Sequence, residues 1–456
     1  MIVCKFGGSS LANATQIKKA CAIFLDNPER RIMIVSAPGK RSEVAGDKKM
    51  TDLLIDLANV RWAGLDGNME WLAISDRVFS LVSELDLHPS IADQLLADIA
   101  RCSEETTVHH KIYRDGIVAL GEAISGRIVT EYLNSIGVKA KLVDPRDAGL
   151  VLSYYAGVTQ ILPESYDNLS TLASEEERLI FPGFYGRTEE GNTITFSRGG
   201  SDISGAVVAA ATAADLYENW TDMDHVYVAN PDYINDPEPI KELSYSEMRE
   251  LAYIGFSIIH PEALEPLFTH RIPIRIANTD NPSAEGTMVL AERTHLDNVV
   301  TGIAGNDDFC TINIRRVLLN QERGILLKIL TIFNELDINI EHVPSGIDSL
   351  SIIVRGTEFS LEDEMVLRDR LQVELGMDDI EVTRNLAIVM IVGEGMRDTV
   401  GVIARASEAI ARESISIEVI MSDYHEISCI FMMSRYEMIR AMHGLYNEFF
   451  PGTDRS

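Results

Sequence analysis

The sequence predicts an α/β chain: a three-layer α/β/α sandwich with a mainly parallel sheet, followed by two βαββαβ modules. Three observations carry that expectation. Short apolar runs alternate with helix-period segments through the first half. Two of those runs end in glycine-rich turns that lead into helical segments. The second half repeats itself, with residues 324–354 aligning without a gap on 401–431, an offset of 77.

Residues 2–6 are apolar and short enough for a strand, and Gly7-Gly8-Ser9-Ser10 turns the chain. Leu11, Ile17, Ala20, Cys21, Phe24 and Leu25 then keep a helical period. Residues 31–36 form a second strand, after which Ala37-Pro38-Gly39 opens a loop. The tract 69–136 is mostly helical in pattern, and further strands are expected at 138–143, 179–181 and 193–196. In the repeat, Ile338, Ile340, Glu341, Ser345, Ser351 and Ile353 fall on Ile415, Ile417, Glu418, Ser422, Ser428 and Ile430. Each copy reads strand, helix, strand, strand, helix, strand, the ferredoxin-like order. The expected domains are 1–296, 297–384 and 385–456.

The 456 residues exceed one ordinary core, and 46% hydrophobic content is enough to bury several. A net charge of −30 argues against nucleic acid and anionic membrane as partners. Any phosphate site must therefore gather local cations against an unfavourable field. The five cysteines, Cys4, Cys21, Cys102, Cys310 and Cys429, have no metal-ligand spacing and are odd in number. That pattern predicts a reduced, cytoplasmic chain without a zinc site or disulfide framework. No signal-peptide pattern follows Met1, and the run 203–214 falls short of the roughly 20 residues of a membrane span.

Lys5 precedes the first glycine turn and can reach a phosphate bound there. The second turn is Thr195-Phe196-Ser197-Arg198-Gly199-Gly200-Ser201-Asp202, followed by a helix of small residues that can sit close to a sheet. Two such loops facing one cleft would hold a triphosphate. Other motifs fail. Pro38-Gly39-Lys40-Arg41 is not a Walker loop, because Ile34 and Arg41 stand where glycine and Ser/Thr belong. Gly393-Glu394-Gly395 lacks the third glycine of a dinucleotide fingerprint, and the adjacent His109 and His110 diverge on a helix.

Lys5-Phe6-Gly7-Gly8-Ser9-Ser10 resembles the opening signature of the aspartate kinases, which usually has Thr at the Ser9 position. The stretch 196–202 is similar to that family's second signature. Thr221-Asp222 with Tyr227, the segment 243–248, the segment 255–264 with His260-Pro261, and the segment 278–287 are similar as well. The resemblance covers nearly the whole chain, including two C-terminal ACT modules. It implies transfer of the γ-phosphoryl group of ATP, with Mg²⁺, to the side-chain carboxylate of L-aspartate, at the head of lysine, threonine and methionine synthesis. It further implies that Lys5 contacts the transferring group and that Asp202 orients Lys5. Gly7, Gly8 and Ser9 would hold the phosphates, and Thr221, Asp222 and Tyr227 would border the nucleotide. Arg198 would clamp the α-carboxylate of aspartate and Glu122 its ammonium, with Ser36, Thr51 and Ser201 lining the pocket. Two nucleotide-side cations usual in the family are missing, since Asp232 and Ser257 occupy their positions. A subgroup of the family shares the Gly-Phe-Ser step at 255–257. Mg²⁺ or another base, such as Arg275, would supply the charge.

The ACT resemblance implies an amino-acid sensor. Helix N–H groups near Gly324 and Leu326 would take an effector carboxylate, while Asn339 and Glu341 on the next strand, or Glu322, would meet an ammonium. Lysine, threonine or both are the expected effectors, and a homodimer or higher oligomer through the ACT modules is expected. The second copy is expected to be structural, and because one ACT unit is interrupted by the other in the family's arrangement, the segment 298–305 is expected to pair with the late residues rather than with its neighbours. Two other readings stay open at this point: a catalytically weakened sensor, which the missing cations favour, and a kinase for another acidic amino acid.

Overall fold

The computed structural model describes residues 1–41, 46–104, 109–155, 158–197, 199–256, 259–293, 298–422 and 427–451. Its contacts divide into two compact units. Tyr227–Glu238 and Tyr253–Phe256 group with the C-terminal unit, although both stretches lie inside the expected first domain.

The first unit is built on an eight-stranded sheet. Its strands run in the order Glu242–Ser244, Thr287–Leu290, Ile274–Asn278, Leu216–Thr221, Ile2–Phe6, Arg30–Val35, Arg178–Pro182, Ala140–Leu142. Neighbours are parallel except Ile274–Asn278 against Thr287–Leu290. Alternation along Ile2–Phe6 divides its side chains between two faces. Cys4 and Phe6 join a core with Met33, Val35 and Trp220, covered by apolar residues of the helices between Ala14 and Ser135. Lys5 points to the opposite face, where the small-residue helix Gly200–Ala211 lies. That helix packs close because it is small: a Cβ on Gly205 would lie 2.7 Å from the Tyr217 hydroxyl. The expected strand at 193–196 is displaced from this sheet. Thr193–Thr195 pairs instead with Tyr185–Arg187 in a separate two-stranded ribbon.

The second unit holds one antiparallel five-stranded sheet, ordered Ser349–Arg355, Gly302–Arg315, Asp379–Val392, Ser428–Ser434, Val419–Met421. Two 14-residue strands, Gly302–Arg315 and Asp379–Val392, run through both modules. Residues 302–306 pair with 388–392, and 309–315 pair with 379–386, with a register shift between. The first module has its helices at Ile325–Glu335 and Leu361–Leu375, the second at Val402–Arg412 and Met438–Phe449. The closing strand of the second module thus comes from the start of the unit. Asn339 and Glu341, expected on a strand, lie outside the regular strands; Glu341 donates its N–H to the Ile353 carbonyl at 2.9 Å, and isolated bridges join His342 to Ile353 and Ser345 to Leu350. Pro344 lacks the N–H that a continued ladder would need.

Candidate functional site

The carboxyl ends of the parallel strands form one edge of the first unit. Ile2–Phe6 is the strand from which later strands add in both directions, the arrangement that opens a ligand crevice at its end. Gly7 and Gly8 lie there. The turn continues as a short 3-10 segment, Ser9–Leu11, and the long helix starts only at Ala14, capped by the Asn13 side chain accepting from the Gln16 N–H. Gly8 has ordinary right-handed angles, so its lack of a side chain serves close approach. A Cβ there would lie 3.0 Å from the Ala37 carbonyl oxygen. Gly7 donates its N–H to the Trp220 carbonyl at 3.3 Å, so it offers room rather than a phosphate donor; a Cβ on it would sit 3.8 Å from the Lys5 ammonium. Ser9 is exposed.

Lys5 Nζ lies 2.6 Å from Asp202 Oδ1, and both side chains are largely buried. Asp202 is in the first turn of Gly200–Ala211, preceded by Gly199 at φ +76°, where L side chains are strained. A Cβ on Gly199 would also collide with the His260 ring. Ser201 is buried beside Gly183, on which a Cβ would fall 2.8 Å from the Ser201 Cα. The register sets buried Asn219 directly beside Lys5. Sequence reasoning did not single out Asn219; period-two counting from Tyr217 would have placed it on the Lys5 face.

Glu122 stands in the first turn of Leu120–Ser135. It is 4% exposed, and its Oε2 has no hydrogen-bond partner among the described residues. Burial pushes its carboxyl up to about 8, although the backbone N–H groups of Ala37 and Glu122 itself pull it down. Ala37 links it to Ser36, whose N–H donates to the Phe6 carbonyl at 3.3 Å. Ser36 and Thr51 are half-buried. An enclosed carboxyl whose Oε2 has no partner among the described residues has room to accept a hydrogen-bond donor. Arg198 and Ser257 lie outside the described residues.

On the nucleotide side, Thr221 ends its strand one residue past Trp220, the partner of Phe6, and its hydroxyl donates to Asp222 Oδ1 at 3.0 Å. Asn278 Nδ2 donates to the Asp222 carbonyl at 3.3 Å, and the Thr279 and Ser10 hydroxyls meet at 2.8 Å. Tyr227 is half-buried and belongs to the second unit. Asp232 is exposed. Arg275 is not a replacement cation: its guanidinium donates to the Ala284 and Glu285 carbonyls and sits 3.6 Å from Glu218.

In the second unit, Gly324 has φ +78° and starts Ile325–Glu335 without a side-chain cap. Leu326 and Asn339 are exposed. Glu322 pairs with Lys328 at 2.9 Å and with Arg316, and these hold its carboxyl below the usual range. Glu341 departs from the expected effector contact. Its Oε1 accepts from Arg355 Nε at 3.0 Å, and its Oε2 from the Tyr253 hydroxyl. With both oxygens occupied and the side chain buried, it is a structural link rather than an open ligand for an ammonium.

Residues 1–278 match the amino acid kinase family model, and 389–449 match an ACT domain model. The chain is 42% identical to aspartokinase 3 of Bacillus subtilis over 99% of both sequences. Among solved structures, Clostridium acetobutylicum aspartate kinase matches with TM-score 0.85 and 34% identity, covering 98% of this chain and 100% of that one. E. coli aspartokinase III, in complex with lysine and aspartate, matches with TM-score 0.77 at 23% identity, covering 99% of each chain, a likeness of fold. The chain belongs to the aspartokinases of the amino acid kinase family, with C-terminal ACT domains.

Proposed function

We propose that Lys5, Asp202 and Glu122 are the working groups of an ATP-dependent phosphorylation of the β-carboxylate of L-aspartate, and that the ACT unit senses lysine. The observation that carries the reading is the Lys5–Asp202 pair at 2.6 Å beside the Gly7-Gly8 turn. The β-carboxylate is already ionised at neutral pH, so attack on the γ-phosphorus needs no general base. A bond forms from its oxygen to phosphorus while the bond to the bridging oxygen of ADP breaks. Lys5 meets the charge spread over the equatorial oxygens. Asp202 keeps the ammonium aimed, and backbone N–H groups beyond Gly7 hold the phosphates. Glu122 receives the substrate ammonium, Arg198 clamps the α-carboxylate, and Ser36, Thr51 and Ser201 line the pocket. Thr221 and Asp222 border the nucleotide.

Among the described residues no group of three acidic, histidine or cysteine side chains could cage a metal. Mg²⁺ would be carried on the nucleotide phosphates with most of its waters, where it would neutralise phosphate charge. Lysine is the first effector to test, because the E. coli relative was solved with it; threonine is the second. Its carboxylate would sit at the uncapped helix start near Gly324 and Leu326. Assembly as a homodimer through the ACT unit and a cytoplasmic location belong to the same reading; among the described residues no helix is long and apolar enough to cross a membrane.

The test is ATP-dependent hydroxamate formation with L-aspartate, L-glutamate or no acceptor, with and without lysine and threonine. Aspartate-selective turnover that lysine lowers is expected. ADP release independent of aspartate would reject the reaction, and indifference to both amino acids would reject the effector assignment.

A further inference from the structure

The loop after Arg30–Val35 touches the glycine turn directly. Gly39 donates its N–H to the Gly8 carbonyl at 2.8 Å. The approach is so tight that a Cβ on Gly39 would lie 2.5 Å from that oxygen. One residue earlier, the Pro38 carbonyl accepts from the Met50 N–H at 3.0 Å, at the start of Met50–Trp62. Arg77 reaches into this loop from the helix Asn68–Glu84. Its guanidinium donates to the Gly39 carbonyl through Nη2 and to the Lys48 carbonyl through Nη1, joining the two ends of the loop.

The surroundings of Arg77 are unusual for an arginine. It is 1% exposed, and its Nε has no partner among the described residues. Its hydrogen-bond acceptors are neutral carbonyls, and no ion pair to it occurs among the described residues. Burial lowers its pKa; Asp47 opposes that effect and Arg41 adds to it. A buried cation facing neutral acceptors is costly, and an apolar side chain of similar volume would fill the space with less penalty. What only the guanidinium fork does here is span two carbonyls at once.

We propose that Arg77 is a positioning residue for the nucleotide: by bridging the Gly39 and Lys48 carbonyls it holds Gly39 against Gly8, and it adds positive potential behind the phosphate turn. The second effect matters in a chain of net charge −30. The inference rests on the reading of the Gly7-Gly8 turn as a nucleotide site.

The experiment titrates MgATP into the full-length protein by calorimetry and measures kcat and both KM values. Arg77→Met should weaken MgATP binding at least about 10-fold, since small displacements of positioning groups are expensive. The KM for aspartate should change much less than the KM for ATP. Arg77→Lys keeps the charge, but one ammonium cannot span both carbonyls, so an intermediate loss is expected. Gly39→Ala leaves Arg77 in place and forces the same two backbones apart, so it should reproduce the ATP-side loss. A variant with a lower melting temperature but wild-type MgATP affinity would make Arg77 a packing residue only and overturn the proposal. If Arg77→Met does not fold, Arg77→Lys and Gly39→Ala decide, and normal MgATP affinity in both overturns it. A wild-type protein that binds MgATP but does not phosphorylate aspartate would reject the reaction while leaving these titrations decisive.

Discussion

Lys5 and Asp202 come from a strand and a helix far apart in the chain, yet they meet because alternation turns Lys5 away from the Cys4–Phe6 core. Replacing Lys5 by methionine should lower kcat by about 10²-fold or more, because the lost charge acts mainly in the transition state. Steady-state kinetics check this, and an unchanged kcat would remove Lys5 from the phosphoryl site. Glu122 gives a second test. Its folded pKa near 8 lies above the unfolded value of about 4.3. Between those values the folded state binds more protons, so this group's contribution to stability falls as pH rises through the window. Glu122→Gln should therefore gain melting temperature relative to wild type between about pH 5 and pH 8. The same group predicts that aspartate affinity rises with pH up to about 8. Below that pH the carboxyl must lose its proton before it can meet the substrate ammonium, and the bound ammonium favours that loss. Calorimetry in buffers of different ionisation enthalpy should detect the released proton, and a pH-independent affinity would contradict the pairing.

Two elements set up local geometry that a single methyl group or carboxylate decides. Gly199→Ala adds a Cβ at φ +76° against His260, so the segment that starts the Asp202 helix must shift. Turnover should fall by about 10-fold or more while far-ultraviolet circular dichroism stays native. Glu341→Ala removes the carboxylate that Arg355 and Tyr253 share, and should cost about 2–3 kcal/mol of stability in the second unit, read by denaturant titration. Much of this architecture was legible beforehand. The helical tract, the alternating strands and the repeat follow from local periodicity, and the glycine turns from composition. The ribbon position of Thr193–Thr195 was not, because a three-residue run looks the same in a sheet and in a hairpin. Nor was the engagement of Glu341, since Tyr253 is distant in sequence and nothing local announces it. Glu122 is an ordinary acidic residue in sequence, and only resemblance picked it out. Its enclosure depends on Ala37 and the helices around it. Arg275 looked available because its acceptors are backbone carbonyls, which sequence cannot show.

At the scale of the molecule, the two long strands tie the sensor modules together. Each module uses part of Gly302–Arg315 and part of Asp379–Val392, so the two share continuous strands. Truncation after residue 400 removes Ser428–Ser434, the partner of residues 386–392, and leaves the pairing of 309–315 with 349–355 and 379–386; it should expose the unpaired half of the long strands and lower soluble yield, read by expression and size-exclusion chromatography against the full chain. The same pairing has a consequence in time. Residues 302–306 leave the ribosome well before residues 388–392, against which they must lie. At synthesis rates of about 5–20 residues per second, the roughly 80 intervening residues take some 4–16 seconds. For that interval the nascent chain exposes an apolar strand whose partner does not yet exist, open to pairing with other nascent chains. Synonymous codons that slow translation between these segments should therefore lower the soluble yield, although the protein sequence is unchanged.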